Sequence, residues 1–156
     1  MKAEILGYIA PTESGLTPKE ITRLENQAYM GDVDPLTISP DLKSYGILRD
    51  FAIENGFKPV YRPMFANNCI LPLAGGVGWH KDEGIGLILN WVLHETPHKQ
   101  DVCRHNMQLI YPNGAIDVAP GHVFVFNGNQ GHAWHSNSRC VLVQMTVAKM
   151  RSKKMS

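Results

Sequence analysis

The chain has 156 residues, of which 44% are hydrophobic, 8% aromatic and 19% charged, and its formal net charge is +1. That length suits a single domain over residues 1–156 with a real core, and it excludes a two-domain enzyme. No run approaches the roughly 18 to 20 apolar residues of a membrane helix, and three cysteines without a CxxC pair suggest neither a disulfide framework nor a zinc ribbon.

The opening MKAEILGYIA has its apolar run broken by Glu4 and no small-residue cleavage site, so a mature N-terminus in a cytoplasmic protein is expected. Thr17-Pro18-Lys19-Glu20 then offers a hydroxyl at a helix N-cap, proline at the first helical position and glutamate at the third. Ile21, Leu24 and Ala28 recur on one face, which predicts a helix to about Met30, before Gly31. A second helix is predicted from Ser39-Pro40, with Leu42, Tyr45, Leu48, Phe51 and Ala52 on its buried face and Asn55-Gly56 as its stop. From Pro59 the period changes. NCILPL, GLILNWVL, MQLIYP, HVFVFNG and CVLVQMTV are short apolar runs punctuated by Gly, Pro and Asn, and they read as strands. Helices followed by strands predict an α+β, mainly β fold. Helical support should cover about 1–58, and an antiparallel sandwich or barrel about 59–148 with both helices packed on one outer face.

Charge is unevenly spread. Residues 1–60 carry 6 basic and 9 acidic side chains and residues 61–148 carry 5 of each. The tail, 149–156, has Lys149, Arg151, Lys153 and Lys154 and no acid. A tail of this kind is usually a solvated end, and it raises affinity for any polyanion without selecting one.

Within GVGWHKDEG, His80 and Asp82 are two apart, so along an extended strand both side chains point to the same side. An imidazole and a carboxylate facing one cavity need one more neutral nitrogen to complete the 2-His-1-carboxylate facial triad that binds Fe(II) with positions left open. His122, His132 and His135 are the downstream candidates. If Ser136-Asn137 form a two-residue hairpin turn, Trp134 faces Arg139, and His132 shares their sheet face while His135 does not. Arg139 would then supply the fixed cation that an organic acid near the metal requires.

These residues resemble the iron(II)/2-oxoglutarate dioxygenases, whose pattern is His-x-Asp, a distant His and an Arg on the next strand, on a double-stranded β-helix (jelly-roll) core. The segment GVGWHKDEG is most similar to the AlkB-like branch, where a glycine-rich turn runs into Trp-His-x-Asp. The resemblance covers roughly residues 60–148. It implies iron ligation by His80, Asp82 and His132, with Arg139 holding the distal carboxylate of the cosubstrate 2-oxoglutarate and O2 as oxidant. The implied activity is hydroxylation or oxidative demethylation, with 2-oxoglutarate converted to succinate. The chain departs from the branch at two places: Asn67-Asn68-Cys69-Ile70-Leu71 contains no Asn-x-Tyr pair, and the branch's second arginine would fall on Met145.

Other residues carry weaker signals. Asn90, an odd polar residue in ILNWVL, is either an inward cosubstrate donor or a solvent-facing strand position. Trp79 and Trp134 flank the ligand candidates and are read as substrate contacts, whereas Trp91 reads as core. His94, His98, Cys103 and His105 are too irregularly spaced for a zinc site and read as a solvated connection. Two alternatives stand beside the dioxygenase: a β-helix binding module without turnover, and a cupin-type metal enzyme in which Arg139 binds the substrate's own carboxylate. The substrate is left open among nucleic acid, peptide side chain and small molecule. The basic tail favours nucleic acid, while the neutral core and acidic helical third do not.

Overall fold

One strand of 12 residues, Ser138–Lys149, is paired along both edges and organises the fold. The computed structural model describes residues 2–29, 36–37, 43–60, 69–82, 84–97 and 107–151. Its elements begin with β1 (Glu4–Tyr8), α1 (Pro18–Tyr29), β2 (Leu36–Thr37), α2 (Lys43–Glu54), β3 (Phe57–Pro59) and β4 (Cys69–Leu73). There follow β5 (Val77–His80), β6 (Leu87–Pro97), β7 (Met107–Tyr111), β8 (Gly114–Asp117), β9 (His122–Asn127), β10 (His132–Ser136) and β11 (Ser138–Lys149). A larger antiparallel sheet runs β1-β9-β6-β11-β4-β2, with β3 beside the end of β11, and a smaller one runs β5-β10-β7-β8. The fold is mainly β with two helices, as the change of period at Pro59 predicts.

Helix α1 starts at the predicted cap. The Glu20 N–H donates to Thr17 Oγ1 (3.1 Å) and the Thr17 N–H donates to Glu20 Oε1 (3.1 Å). The Thr17 N–H first, and then the Thr17 hydroxyl donating to the same Oε1 (3.0 Å), hold the Glu20 carboxyl below its usual range. The cap's stabilisation is therefore present at neutral pH and lost as pH falls through that lowered value. Thr17→Ala is expected to cost about 1 kcal/mol in urea unfolding, because the Glu20 N–H loses its acceptor. Helix α2 ends at Asn55-Gly56 as predicted, with Gly56 at φ +85° in the left-handed region and β3 beginning at the next residue. Met30, Gly31, Ser39, Pro40 and Leu42, at the other expected helix ends, lie outside the described residues.

The larger sheet is covered on both faces. On one, Leu24 of α1 and Tyr45, Leu48 and Ala52 of α2 pack against Leu89, Trp91, Val141, Val143 and Met145. On the other, Ile88, Val92, Phe124 and Leu142 meet Met107, Leu109 and Trp134 of the smaller sheet. Two-sided cover explains why GLILNWVL and CVLVQMTV read as near-continuous apolar runs rather than alternating ones. Both helices lie on the single outer face expected of them. Neither is long and apolar enough to cross a membrane.

Two expectations need correction. The first third is not purely helical, since β1 pairs with β9 at the edge of the larger sheet. More consequentially, Ser136-Asn137 is no hairpin turn. β10 pairs with β5 and β7 in the smaller sheet while β11 pairs with β3, β4 and β6 in the larger one, so the chain crosses between sheets at Asn137. Serine side chains pin this crossover: the Ser138 N–H donates to Ser136 Oγ (3.0 Å), and Ser138 Oγ donates to Glu95 Oε2 (2.7 Å).

Candidate metal centre

Strands β5 and β10 place two histidines side by side, because His80 and His132 are direct cross-strand partners. Asp82 follows β5 in a turn tied to the end of β9. The Asp82 N–H donates to the Gly128 carbonyl (2.7 Å), the Gly128 N–H to the Gly86 carbonyl (2.7 Å) and the Gly84 N–H to Asn129 Oδ1 (3.0 Å). Glycine at 128 eases this approach: a Cβ there would lie 3.2 Å from the Gly86 carbonyl oxygen and 3.3 Å from Asp82 Cβ, and would push aside Ile88 Cδ1 at 2.8 Å. One ligand atom from each of His80, Asp82 and His132 then falls within 4.8 Å of the other two.

The ring orientations matter as much as the distances. His80 Nδ1 lies 2.6 Å from the Gly78 carbonyl and His132 Nδ1 lies 2.8 Å from the Gln130 carbonyl. A carbonyl only accepts, so each Nδ1 must carry the proton and donate. That leaves Nε2 of each ring as the atom open to a metal, and both Nε2 atoms face Asp82, at 3.8 Å from Oδ1 for His80 and 3.2 Å from Oδ2 for His132. A metal cation held among the three groups suits this arrangement, as a proton on Nε2 also would. Backbone carbonyls that fix Nδ1–H and free Nε2 are the usual outer support of metal-binding histidines. Neighbouring ligands about 2.1 Å from an octahedral ion lie about 3 Å apart; the His132–Asp82 separation of 3.2 Å is close to this and the His80–Asp82 separation of 3.8 Å is wider. The donor set therefore fits a divalent ion such as Fe(II).

Comparisons with known protein families, with curated proteins and with solved structures find no match to this chain.

Beside the triad lies a cavity of about 210 Å³, lined by Asn90, Gln144 and Trp134 and by apolar groups including Leu71, Phe124 and Leu142. Asn90 is buried and faces this cavity, which removes its solvent-facing reading. Its Oδ1 accepts a hydrogen bond from Gln144 Nε2 (2.8 Å). Gln144 escaped the sequence reading, although it and Thr146 are the polar side chains of CVLVQMTV in phase with the inward Cys140 and Leu142. Among the described residues no lysine or arginine lines the cavity.

Arg139 is not at this site. It stands on the helix-covered face of β11, in phase with Val141 and Val143, with its Nε 3.2 Å from Oε1 of the buried Glu25 on α1. The hairpin placed it inward, and the crossover between sheets removes that hairpin. Glu25 also pairs with His94 Nε2 (3.0 Å). A bulge brings His94 there: Val141 pairs with His94 and Leu142 with Val92, so Leu93 is the extra residue and the alternation of β6 flips.

Of the other histidines, His135 is exposed and His122 Nδ1 accepts from the Ala119 N–H (3.0 Å), so neither joins the triad. His98, Cys103 and His105 lie outside the described residues, as do Asn67, Asn68 and tail residues 152–156. The Cys140 thiol is pushed up to about 12, by burial first and then by Glu95 and Glu25, which makes it an inert core group. Trp134 is buried in the cavity wall, parallel to Phe124. Trp79 faces away from the cavity, 56% exposed, in an open hollow with Lys2, Lys81 and Tyr111.

Gly76 sets the spacing of the two ligand strands. A Cβ there would sit 2.8 Å from the Trp134 carbonyl oxygen, a backbone atom with little freedom to move. Gly76→Ala is expected to push β5 from β10 and weaken metal binding by about 10-fold in an anaerobic Fe(II) titration, the scale of losses in the outer support of metal ligands.

Proposed function

We propose that this protein is an iron(II)- and 2-oxoglutarate-dependent dioxygenase built on a double-stranded β-helix. The observation that carries the reading is the pair of imidazole Nε2 atoms converging on one carboxylate at the mouth of a small, mostly apolar cavity. The strand order supports the fold. From β4 to β11 the chain passes repeatedly between two facing antiparallel sheets, with β9-β6-β11-β4 in one and β5-β10-β7-β8 in the other, the layout of a double-sheet jelly roll.

Bound iron(II) would let O2 act as the oxidant, with one oxygen atom going to a C–H-bearing substrate in hydroxylation or oxidative demethylation and the other to the 2-oxo acid, which loses CO2 and becomes its one-carbon-shorter product, succinate from 2-oxoglutarate. The protein's part is to hold and orient. His80, Asp82 and His132 would hold the ion and leave positions on it open to ligands from solution. Asn90 and Gln144 offer polar contacts inside the cavity, and Leu71, Phe124 and Leu142 exclude water from it. Outside, Trp79 with Lys2 and Lys81 offers a stacking face with positive charge, which suits a nucleic-acid base better than an acidic peptide. The free, buried Cys140 suits a reducing compartment such as the cytoplasm.

Anaerobic addition of Fe(II) and then 2-oxoglutarate to the purified protein tests the reading. A visible metal-to-ligand charge-transfer band is expected, followed by succinate once air is admitted. Iron binding without that band would instead favour a cupin-type metal enzyme, and no iron binding a β-helix module without turnover.

A further inference from the structure

Trp134 is 7% exposed, and its Nε1 is a buried donor with no hydrogen-bond partner among the described residues. Such groups are uncommon, because a buried N–H without an acceptor forfeits its hydration for nothing. The indole is held firmly. Its backbone lies in β10 between β5 and β7, and its ring stands 7° from parallel to Phe124 with centroids 6.2 Å apart. An indole donates only, so whatever satisfies it is an acceptor. The ring lines the cavity beside the metal centre, and that is where an acceptor has room to enter.

The polar pair in the same cavity points the same way. Gln144 Nε2 donates to Asn90 Oδ1 at 2.8 Å, while Asn90 Nδ2 reaches only the Ile88 carbonyl, at a long 3.4 Å. An amide nitrogen has two hydrogens, so Asn90 keeps donor capacity. The cavity's volume of about 210 Å³ is below the range of roughly 300 to 1,000 Å³ that holds drug-sized ligands, and it suits a short acid.

We infer that the Trp134 Nε1–H is the donor that receives the far carboxylate of the 2-oxo acid, with the Asn90 amide beside it. This inference rests on the proposed function and changes one part of it: the acid's far end is read by neutral N–H groups of β6 and β10, and Arg139 takes no part.

Anaerobic calorimetry on the Fe(II)-loaded full chain tests it with two ligands, 2-oxoglutarate and 2-oxopentanoate, which has the same carbon chain without the far carboxylate. Trp134→Phe keeps a ring and removes the N–H. It should weaken 2-oxoglutarate by about 10-fold or more, the loss of a hydrogen bond to a charged group, and leave 2-oxopentanoate within about twofold. Equal weakening of both acids, or of neither, overturns the inference. So does equal binding of the two acids by the wild type, an outcome that leaves the 2-oxo acid reading standing. If the iron-loaded wild type binds neither acid, both readings fall. A measurement on the unaltered protein covers a variant that fails to fold. With Zn(II) as a diamagnetic stand-in, one buried indole N–H resonance should move downfield on adding 2-oxoglutarate and stay in place with 2-oxopentanoate. No such difference would equally overturn the inference.

Discussion

Alanine at His80, Asp82 or His132 is expected to lower iron(II) affinity by about 100-fold or more, the largest effect of any substitution considered. Each removal leaves a divalent ion with two protein ligands, and two of the three ligands sit on strands whose register is fixed by pairing rather than free to regroup. Asp82→Ala should be at least as damaging as either histidine change, because it also removes the negative charge that faces both Nε2 atoms. His122→Ala and His135→Ala serve as controls and should bind iron like the wild type. Anaerobic titration with a competing chelator measures all five. Retention of wild-type affinity by His132→Ala would rule out the proposed triad.

Arg139→Ala is expected to cost about 2 to 3 kcal/mol of stability in urea unfolding and to leave 2-oxoglutarate affinity within about twofold. The cost arises because the Glu25 carboxylate is buried and, among the described residues, would keep only His94 as its ionic neighbour. It falls at or just below the lower end of the range for broken buried pairs because Arg139 retains some contact with solvent. Replacing both partners with apolar residues of similar volume, as in Glu25→Leu with Arg139→Met, should recover much of the loss, since no uncompensated charge is left inside. A large drop in 2-oxoglutarate affinity with unchanged stability would put Arg139 back beside the metal.

Legibility in the sequence followed the range of the interaction. The Thr17 cap and the Asn55-Gly56 stop involve neighbours in the chain, and both were readable. The main strands were readable because cover on both faces makes their runs apolar. Alternation within one strand was readable too: His132 and Trp134 are inward on β10 and His135 outward, whichever strands lie beside it. What failed was phase carried from one strand to the next. Pairing of consecutive strands puts Arg139 inward, and the passage of β11 into the other sheet places it on the opposite face. The bulge at Leu93 similarly sends His94 to Glu25 with no local signature in LHET. Gly76 and Gly128 looked like ordinary turn residues, because close backbone approach depends on segments distant in the chain.

The pairing of His80 with His132 makes an ion at this centre a removable cross-link between segments more than fifty residues apart in the chain. An unfolded chain cannot hold that geometry, so free metal should stabilise the fold by mass action, by about 2.7 kcal/mol at 100 times its dissociation constant. Melting temperature then becomes a ruler for metal choice. At equal free concentrations, Mn(II), Fe(II) and Co(II) should raise it in that order, following their general ranking with nitrogen and oxygen ligands. Dialysis against a chelator should return the protein to the lower melting temperature of the metal-free chain.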